Sequence, residues 1–215
     1  MNDPGHTQPL KPLSINGLLC LLGRPKDFFS GAFNLKHIPS LLFVGFVCGL
    51  ERANAAFSLA NLSTEQVADV YKDLTPGWSQ VWIDLLPVAA FMGLLKWLVG
   101  GFWYTIRAKW CGYEGGDALL TRAIFFFTEA IVAIPLVLHL VAQTLIYSGP
   151  MAAQLDTNAS TFSLVVIALG TVSILISYYA VQRLLHISGP KARLWFFVLP
   201  LSAQLFTLMT LLTSK

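Results

Sequence analysis

Long apolar stretches constrain the fold of this chain more than any other feature of its sequence. A helix rises about 1.5 Å per residue, so about 20 apolar residues are needed to cross roughly 30 Å of hydrocarbon. Four segments reach this length: Ile83–Ile106, Ala123–Tyr147, Phe162–Val181 and Leu194–Leu212. A fifth segment, Ile38–Ala60, is weaker because its purely apolar part ends at Leu50, just before Glu51 and Arg52, which we place near the far interface. The sequence therefore predicts an all-α, polytopic transmembrane bundle of five spans.

The low content of charged residues agrees with this fold class. Charged residues make up 12% of the chain, whereas soluble domains average about 25%. This is too little to cover a water-facing globule but enough for short loops between spans. The net charge of +3 could suggest nucleic acid, but the basic residues do not form one patch. We therefore expect no nucleic-acid partner, and we interpret the basic residues as signals of membrane topology.

The distribution of lysine and arginine predicts the orientation of the spans. Basic residues concentrate on the cytosolic side of membrane proteins, and ten of them fall in segments that five spans place on one side: Lys11, Arg24, Lys26, Lys36, Arg107, Lys109, Arg122, Arg183, Lys191 and Arg193. Three fall on the other side: Arg52, Lys72 and Lys215. We therefore expect a cytosolic N-terminus and an external C-terminus. The membrane would be a bacterial inner (plasma) membrane, or an endomembrane in a eukaryote.

This topology divides the chain into two parts. Residues 1–37 form a cytosolic N-terminal segment, in which residues 13–33 mix apolar clusters with Arg24, Lys26 and Asp27. Such a pattern predicts a short helix that lies on the membrane interface, where basic residues meet anionic lipid. Residues 38–215 form the five-span transmembrane domain.

Two charged residues inside predicted spans are candidates for function. Lys96 lies about ten residues, or ~15 Å, from the cytosolic end of its span, and Glu129 about seven residues, or ~10 Å, from the same side. An isolated charge at such depth costs at least ~2.5 kcal/mol on insertion scales, so each should face protein or water. Gly93, Lys96 and Gly100 share one helical face, and small residues let a neighbouring helix come close. The sequence thus predicts a buried Lys96–Glu129 pair between the second and third spans.

Other arrangements of these two residues remain open from the sequence. Lys96 could extend its side chain to the cytosolic surface, while Glu129 is protonated or lines a water-filled crevice. If the pair forms, a static strut is favoured over a proton or ion relay. A charge swap, Lys96→Glu with Glu129→Lys, tests the pairing directly.

A second intramembrane polar pair lies on the third span. His139 and Gln143 are one helical turn apart and could bind a ligand or a metal ion. The sequence shows no third or fourth ligand at a matching spacing, so we expect these side chains to form hydrogen bonds between helices.

Signatures of catalysis are missing from the sequence. There is no HExxH and no GxSxG motif, and the three cysteines, Cys20, Cys48 and Cys111, have no metal-binding spacing. We therefore expect a protein that is not an enzyme and that has no metal site and no cofactor.

Several short motifs resemble the Yip-domain family, the Ypt/Rab-interacting membrane proteins and their bacterial relatives. Residues 25–29, Pro-Lys-Asp-Phe-Phe, are similar to the proline and paired aromatics that precede the family's first span. Residues 100–104, Gly115-Gly116 and residues 130–135 are similar to its span–loop–span core. The resemblance implies five spans, a cytosolic N-terminus and a membrane-organising or trafficking role without catalysis. The eukaryotic members' acidic-leucine-tyrosine-glycine-proline motif is absent, which argues against GTPase binding.

Two functions are consistent with these observations. The first is a non-enzymatic scaffold or partner-binding protein, whose partners are the lipid bilayer and either other membrane proteins or further copies of this chain. The second is a small transporter or channel subunit that uses Lys96 and Glu129. Against transport, the sequence has no inverted internal repeat and only five spans.

Overall fold

The structure, a computed structural model, describes residues 11–62, 77–150, 152–153 and 159–213. Residues 1–10 of the predicted N-terminal segment, Lys72 and Lys215 lie outside these ranges. Regular structure in the described ranges is helical, without β-strands. The α-helices are α1 (Ile15–Gly23), α2 (Pro25–Asp27), α3 (Ile38–Leu62), α4 (Trp78–Leu95), α5 (Gly101–Trp110), α6 (Ala118–Ile146), α7 (Ala159–Leu184), α8 (Pro190–Arg193) and α9 (Leu199–Thr213). Three π-helical turns, Phe28–Ala32, Lys96–Gly100 and Leu194–Val198, extend α2, join α4 to α5 and join α8 to α9.

Four of the described helical segments are long and apolar enough to cross a membrane. They are Trp78–Trp110, Ala118–Ile146, Thr161–Leu184 and Pro190–Thr210, and each overlaps one of the four strong segments of the sequence. The chain is accordingly an integral membrane protein with a helical fold. Helix α3 is 25 residues long but is not among the four, because Glu51, Arg52 and the polar residues that follow reduce its apolarity.

Helix α3 nevertheless packs along α4 in the bundle, with almost no space between the two backbones. A Cβ atom added at Gly93 would lie 2.6 Å from the carbonyl oxygen of Gly45. One added at Gly49 would overlap the carbonyl oxygen of Ala89. Gly45 and Gly49 form a GxxxG pair, the spacing that lets helices approach closely in membranes. Gly45 contacts Gly93, and Gly49, one turn later in α3, contacts Ala89, one turn earlier in α4. Helices α3 and α4 are therefore antiparallel.

The basic residues gather at one end of the bundle, which we call the basic end. It contains the start of α3, the turn between α5 and α6, and the turn between α7 and α8. Lys36 Nζ lies 3.0 Å from Asp117 Oδ2 and joins the first of these to the second. Gly112 adopts a φ of +96° in the α5–α6 turn, a conformation that glycine adopts without strain. At the opposite end, the Trp78 indole donates to the carbonyl oxygen of Tyr147 at 2.9 Å.

The described part of the N-terminal segment packs into the basic end. Helix α1 falls within the stretch where the sequence predicts a helix, and Ser14 caps it by accepting a hydrogen bond from the main-chain N–H of Gly17 at 3.1 Å. Phe28 and Phe29 are completely buried, and the ring of Phe28 lies 5.2 Å from that of Phe127 in α6. Ile15 on α1 is exposed. The position of α1 on a membrane interface stays a prediction.

Candidate functional site

Lys96 and Glu129 are in direct contact inside the bundle. Lys96 Nζ donates to Glu129 Oε2 at 2.8 Å, and the two side chains are 15% and 33% exposed. The carboxylate comes from the first half of α6 and the ammonium from the junction of α4 and α5, which is antiparallel to α6. The two residues that the sequence analysis paired on grounds of depth are thus brought together.

Glu51 is a third member of this cluster, which sequence reasoning missed. Its Oε2 lies 3.7 Å from Lys96 Nζ, and its side chain is 13% exposed. The sequence analysis placed Glu51 and Arg52 near the far interface because the apolar run ends at Leu50. Instead, Glu51 reaches the same ammonium as Glu129, and Arg52 Nε approaches Glu51 Oε2 at 3.5 Å. The cluster therefore contains two carboxylates and two cations, and its charges balance.

The π-helical turn at Lys96–Gly100 sets the direction of the lysine. The main-chain N–H of Gly101 bonds to the carbonyl of Lys96 across this turn, so the spacing of a regular α-helix is interrupted. As a result, Gly93 and Gly100 do not share an interface, contrary to what the sequence predicts. Gly93 contacts α3 at Gly45, whereas Gly100 faces the ring of Phe125 in α6.

A small polar cavity lies on the other side of Glu129. Its volume is about 120 Å³, it is partly open to the outside, and it is lined by residues of α5, α6, α7, α9 and the π-turn that leads into α9. Its polar lining consists of hydroxyl groups, one guanidinium and one carboxylate, on Tyr104, Arg107, Thr128, Glu129, Ser173 and Ser177. The Tyr104 hydroxyl and Ser177 Oγ lie 2.9 Å apart, and Ser173 Oγ donates to the carbonyl oxygen of Thr128 at 2.8 Å.

Arg107 lies at the basic-end side of this cavity and is held by aromatic rings. Its guanidinium carbon is 5.1 Å from the ring centre of Tyr104 and 5.2 Å from that of Phe196. Such cation–π contacts orient the plane of the group. Its Nη1 makes a long hydrogen bond of 3.4 Å to the carbonyl oxygen of Trp195. Its buried Nε has no hydrogen-bond partner among the described residues.

Lys96 is also reached from the outer surface of the bundle. A groove of about 470 Å³ runs over α3, α4 and the π-turn between α4 and α5, and its lining includes Arg52, Ala55, Met92 and Lys96. The charge cluster therefore has the groove on one side and the cavity on the other.

His139, one member of the second polar pair of the sequence, contacts an aromatic ring. The ring of His139 stacks on the ring of Phe162 in α7, with centres 5.0 Å apart. Its buried Nε2 has no hydrogen-bond partner in the part of the chain that the structure describes, so the expected interhelical hydrogen bond of His139 is not found there. The carbonyl of Gln143 accepts the N–H of Tyr147 at 3.0 Å.

Contacts and burial shift the pKa values of three titratable groups at the basic end. The main-chain N–H of Leu120 donates to Asp117 Oδ1 at 2.9 Å, and this bond, with the ammonium of Lys36, holds the pKa of the Asp117 carboxyl below its usual value. Burial raises the pKa of the Cys20 and Cys111 thiols. No group of three or more His, Cys, Asp or Glu side chains in the described ranges could hold a metal ion.

Comparisons of this chain with protein-family models, with curated proteins and with solved structures find no match.

Proposed function

We propose that this chain is a non-enzymatic integral membrane protein of five spans that acts as a scaffold or partner-binding component of a bacterial inner membrane. The observation that supports this proposal most directly is the charge cluster. Glu51, Lys96 and Glu129 come from three different helices and satisfy each other inside the chain. A cluster that joins three helices in a seam of touching backbones has the properties of a strut.

The fifth span and the orientation belong to the same proposal. Helix α3 starts at the basic end and runs antiparallel to α4, which supports a crossing by α3 despite its polar second half. The gathering of basic residues at one end supports a cytosolic basic end, with the C-terminus outside. The Yip-domain resemblance remains part of the proposal, and it is supported by the close packing of Phe28 and Phe29 against the bundle.

Thiol labelling tests the topology. An impermeant maleimide should label Cys111 in inverted vesicles but not in spheroplasts, at a pH high enough to offset the raised pKa of this thiol. A tag at the C-terminus should be digested by protease only in spheroplasts. These two sites test the last three spans, and Cys20 tests α3. If Cys20, in a variant that lacks Cys111, is labelled from the face opposite to that of Cys111, α3 does not cross and the chain has four spans.

The scaffold function is tested by capture of partners in mild detergent. The tagged chain, expressed near its native level, should co-purify with a membrane protein in fixed proportion, whereas an unrelated five-span protein should not retain it. If the chain purifies alone, and if liposomes that contain it pass ions or small solutes, the scaffold proposal fails.

A small transporter or channel subunit is the second candidate, and the polar cavity beside Glu129 favours it. The cavity and the outer groove approach the charge cluster from two sides, so a rearrangement of Lys96 could connect them. In that case flux through reconstituted liposomes should be abolished by Lys96→Met. Flux that is the same for Lys96→Met and for the unchanged chain would exclude a path through this lysine.

A further inference from the structure

We propose that the polar cavity between α5, α6, α7 and α9 binds a small oxyanion, a carboxylate or phosphate group, at the guanidinium of Arg107. This inference goes beyond the proposed function and does not depend on it. It is carried by the charge balance of the interior, by the donors that face the cavity, and by the size and position of the cavity.

Arg107 is the half-buried cation that lines the cavity, and the nearby carboxylates are paired with other cations. Glu129 borders the cavity, but its charge is matched by Lys96 at 2.8 Å. Glu51 is matched by Lys96 and Arg52. In the described ranges no carboxylate oxygen lies within 4 Å of the Arg107 guanidinium. A half-buried cation without a carboxylate in direct contact favours the binding of an anion.

The donors of Arg107 are sufficient in number for an oxyanion. A guanidinium has five N–H donors, and the one protein acceptor found for Arg107 in the described ranges is the distant carbonyl of Trp195. The rings of Tyr104 and Phe196 lie 5.0 Å from each other, so both contact the same side of the guanidinium, and its buried Nε has no hydrogen-bond partner among the described residues. Planar forks of this kind bind carboxylate and phosphate with two parallel hydrogen bonds.

Hydroxyl groups supply a further donor. Tyr104 and Ser177 share a single hydrogen bond of 2.9 Å, so one hydroxyl donates to the other. The hydrogen of the accepting hydroxyl is then free to point at a ligand in the cavity.

The size of the cavity limits the ligand. Its volume of about 120 Å³ is well below the 300–1,000 Å³ of sites for drug-sized molecules, so only a group of a few heavy atoms fits. Arg107 lies in the last turn of α5, at the basic end, where lipid phosphates would also lie. The oxyanion could therefore belong to a lipid headgroup or to a free carboxylate or phosphate, and the experiment separates these sources.

The test measures binding to the purified full-length chain. In lipid-free detergent, acetate and inorganic phosphate are titrated at constant ionic strength, with chloride as the reference salt, and the thermal midpoint is followed. In parallel, co-purified phosphatidylglycerol is counted by native mass spectrometry. Saturable stabilisation by acetate or phosphate identifies a free anion, and retained phosphatidylglycerol identifies a lipid headgroup.

Arg107→Gln should weaken this binding at least about tenfold, which corresponds to about 1.4 kcal/mol. Lys109→Gln is the matched control, because Lys109 is an exposed lysine in the same helical turn and its loss makes the same change of charge. Tyr104→Phe and Ser177→Ala keep the guanidinium and should weaken binding several-fold, so they test the site even if Arg107→Gln fails to fold.

Three results would overturn the proposal. The first is that neither acetate, phosphate nor phosphatidylglycerol binds to the unchanged chain. The second is that Arg107→Gln and Lys109→Gln reduce binding equally, which would indicate general attraction to the basic end. The third, which remains decisive if Arg107→Gln does not fold, is unchanged binding in both hydroxyl variants. None of these outcomes bears on the partner-capture test of the scaffold function.

Discussion

The seam between α3 and α4 and the cavity between α5, α6, α7 and α9 lie on opposite sides of Glu129 and are packed in opposite ways. In the seam, glycines bring the two backbones into contact and charges are paired. Around the cavity, large aromatic rings and hydroxyl groups surround open space, and one guanidinium lacks a carboxylate in the described ranges. The touching backbones make the seam rigid, whereas the open space of the cavity leaves room for the ligand proposed above.

The largest loss of stability is expected when a single methyl group is added in the seam between α3 and α4. Alanine normally stabilises a helix relative to glycine by about 1 kcal/mol, but at Gly49 the added Cβ would overlap the carbonyl oxygen of Ala89. We expect Gly49→Ala to cost at least about 3 kcal/mol, because a backbone cannot move aside as a side chain does. Gly116→Ala is the control, since nothing lies within 4 Å of a Cβ there. Thermal melts in detergent measure both, and equal midpoints would refute rigid contact.

Removal of one charge from the cluster should have the next largest effect. Lys96→Met leaves Glu51 and Glu129 without their shared cation, which we expect to cost up to about 3 kcal/mol. The loss is smaller than for a fully buried pair because Glu129 is one-third exposed. A double-mutant cycle with Glu129→Gln, followed by thermal unfolding, gives the coupling energy. Purely additive losses would show that the pair does not stabilise the fold.

The position of Glu51 changes the stability that is expected after a charge swap between Lys96 and Glu129. Lys96→Glu with Glu129→Lys places the new carboxylate beside Glu51, so the swap alone should not restore stability. Adding Glu51→Gln to the swapped chain should restore part of it. If the two-residue swap is as stable as the unchanged chain, Glu51 is not part of the cluster.

On the cavity side, the loss of one hydroxyl should have a moderate effect. Tyr104→Phe and Ser177→Ala each remove the same hydrogen bond, and each should cost about 1 kcal/mol. The double variant should cost little more than either single variant, because the bond can be lost only once. Thermal unfolding of the three variants measures this. Fully additive losses would indicate that the two hydroxyls act separately.

The smallest loss of stability is expected on replacing Asp117, and its size depends on pH. Its folded-state pKa is lowered, mainly by the N–H of Leu120, so its stabilisation is fully present above the unfolded value of about 3.9. It is lost as the pH falls through the lower folded-state pKa. Asp117→Asn should therefore be less stable by under about 1 kcal/mol at pH 7, since the pair with Lys36 is exposed. Melts from pH 7 to pH 2 should show the two chains converging only at the acidic end.

The apolar spans and the Lys96–Glu129 contact could be predicted from the sequence because both depend on helical rise and chain order alone. Because a short turn joins these two antiparallel spans, residues at similar depths in the membrane lie next to each other. Glu51 was assigned to an interface because a charge at the end of an apolar run normally marks one. A usable signal existed, since a second acid in a neighbouring span can share the ammonium of Lys96.

The cavity could not be predicted in the same way. Tyr104, Ser177 and Phe196 come from three distant segments, and no local pattern relates them. The π-helical turns that orient Lys96 and Phe196 have no clear sequence signature either, because packing against neighbouring helices decides them. Phe28 and Phe29 were expected before the first span, but their burial depends on surfaces of helices that follow much later.

The buried position of Phe28 and Phe29 has a consequence for biosynthesis. These residues leave the ribosome before any span, yet Phe127, against which Phe28 packs, is made long afterwards. At roughly 5–20 residues per second, the segment waits for several seconds before its docking surface exists. A chain that stalls before α6 is inserted therefore displays two unburied aromatic rings, by which quality control can distinguish it from a finished one.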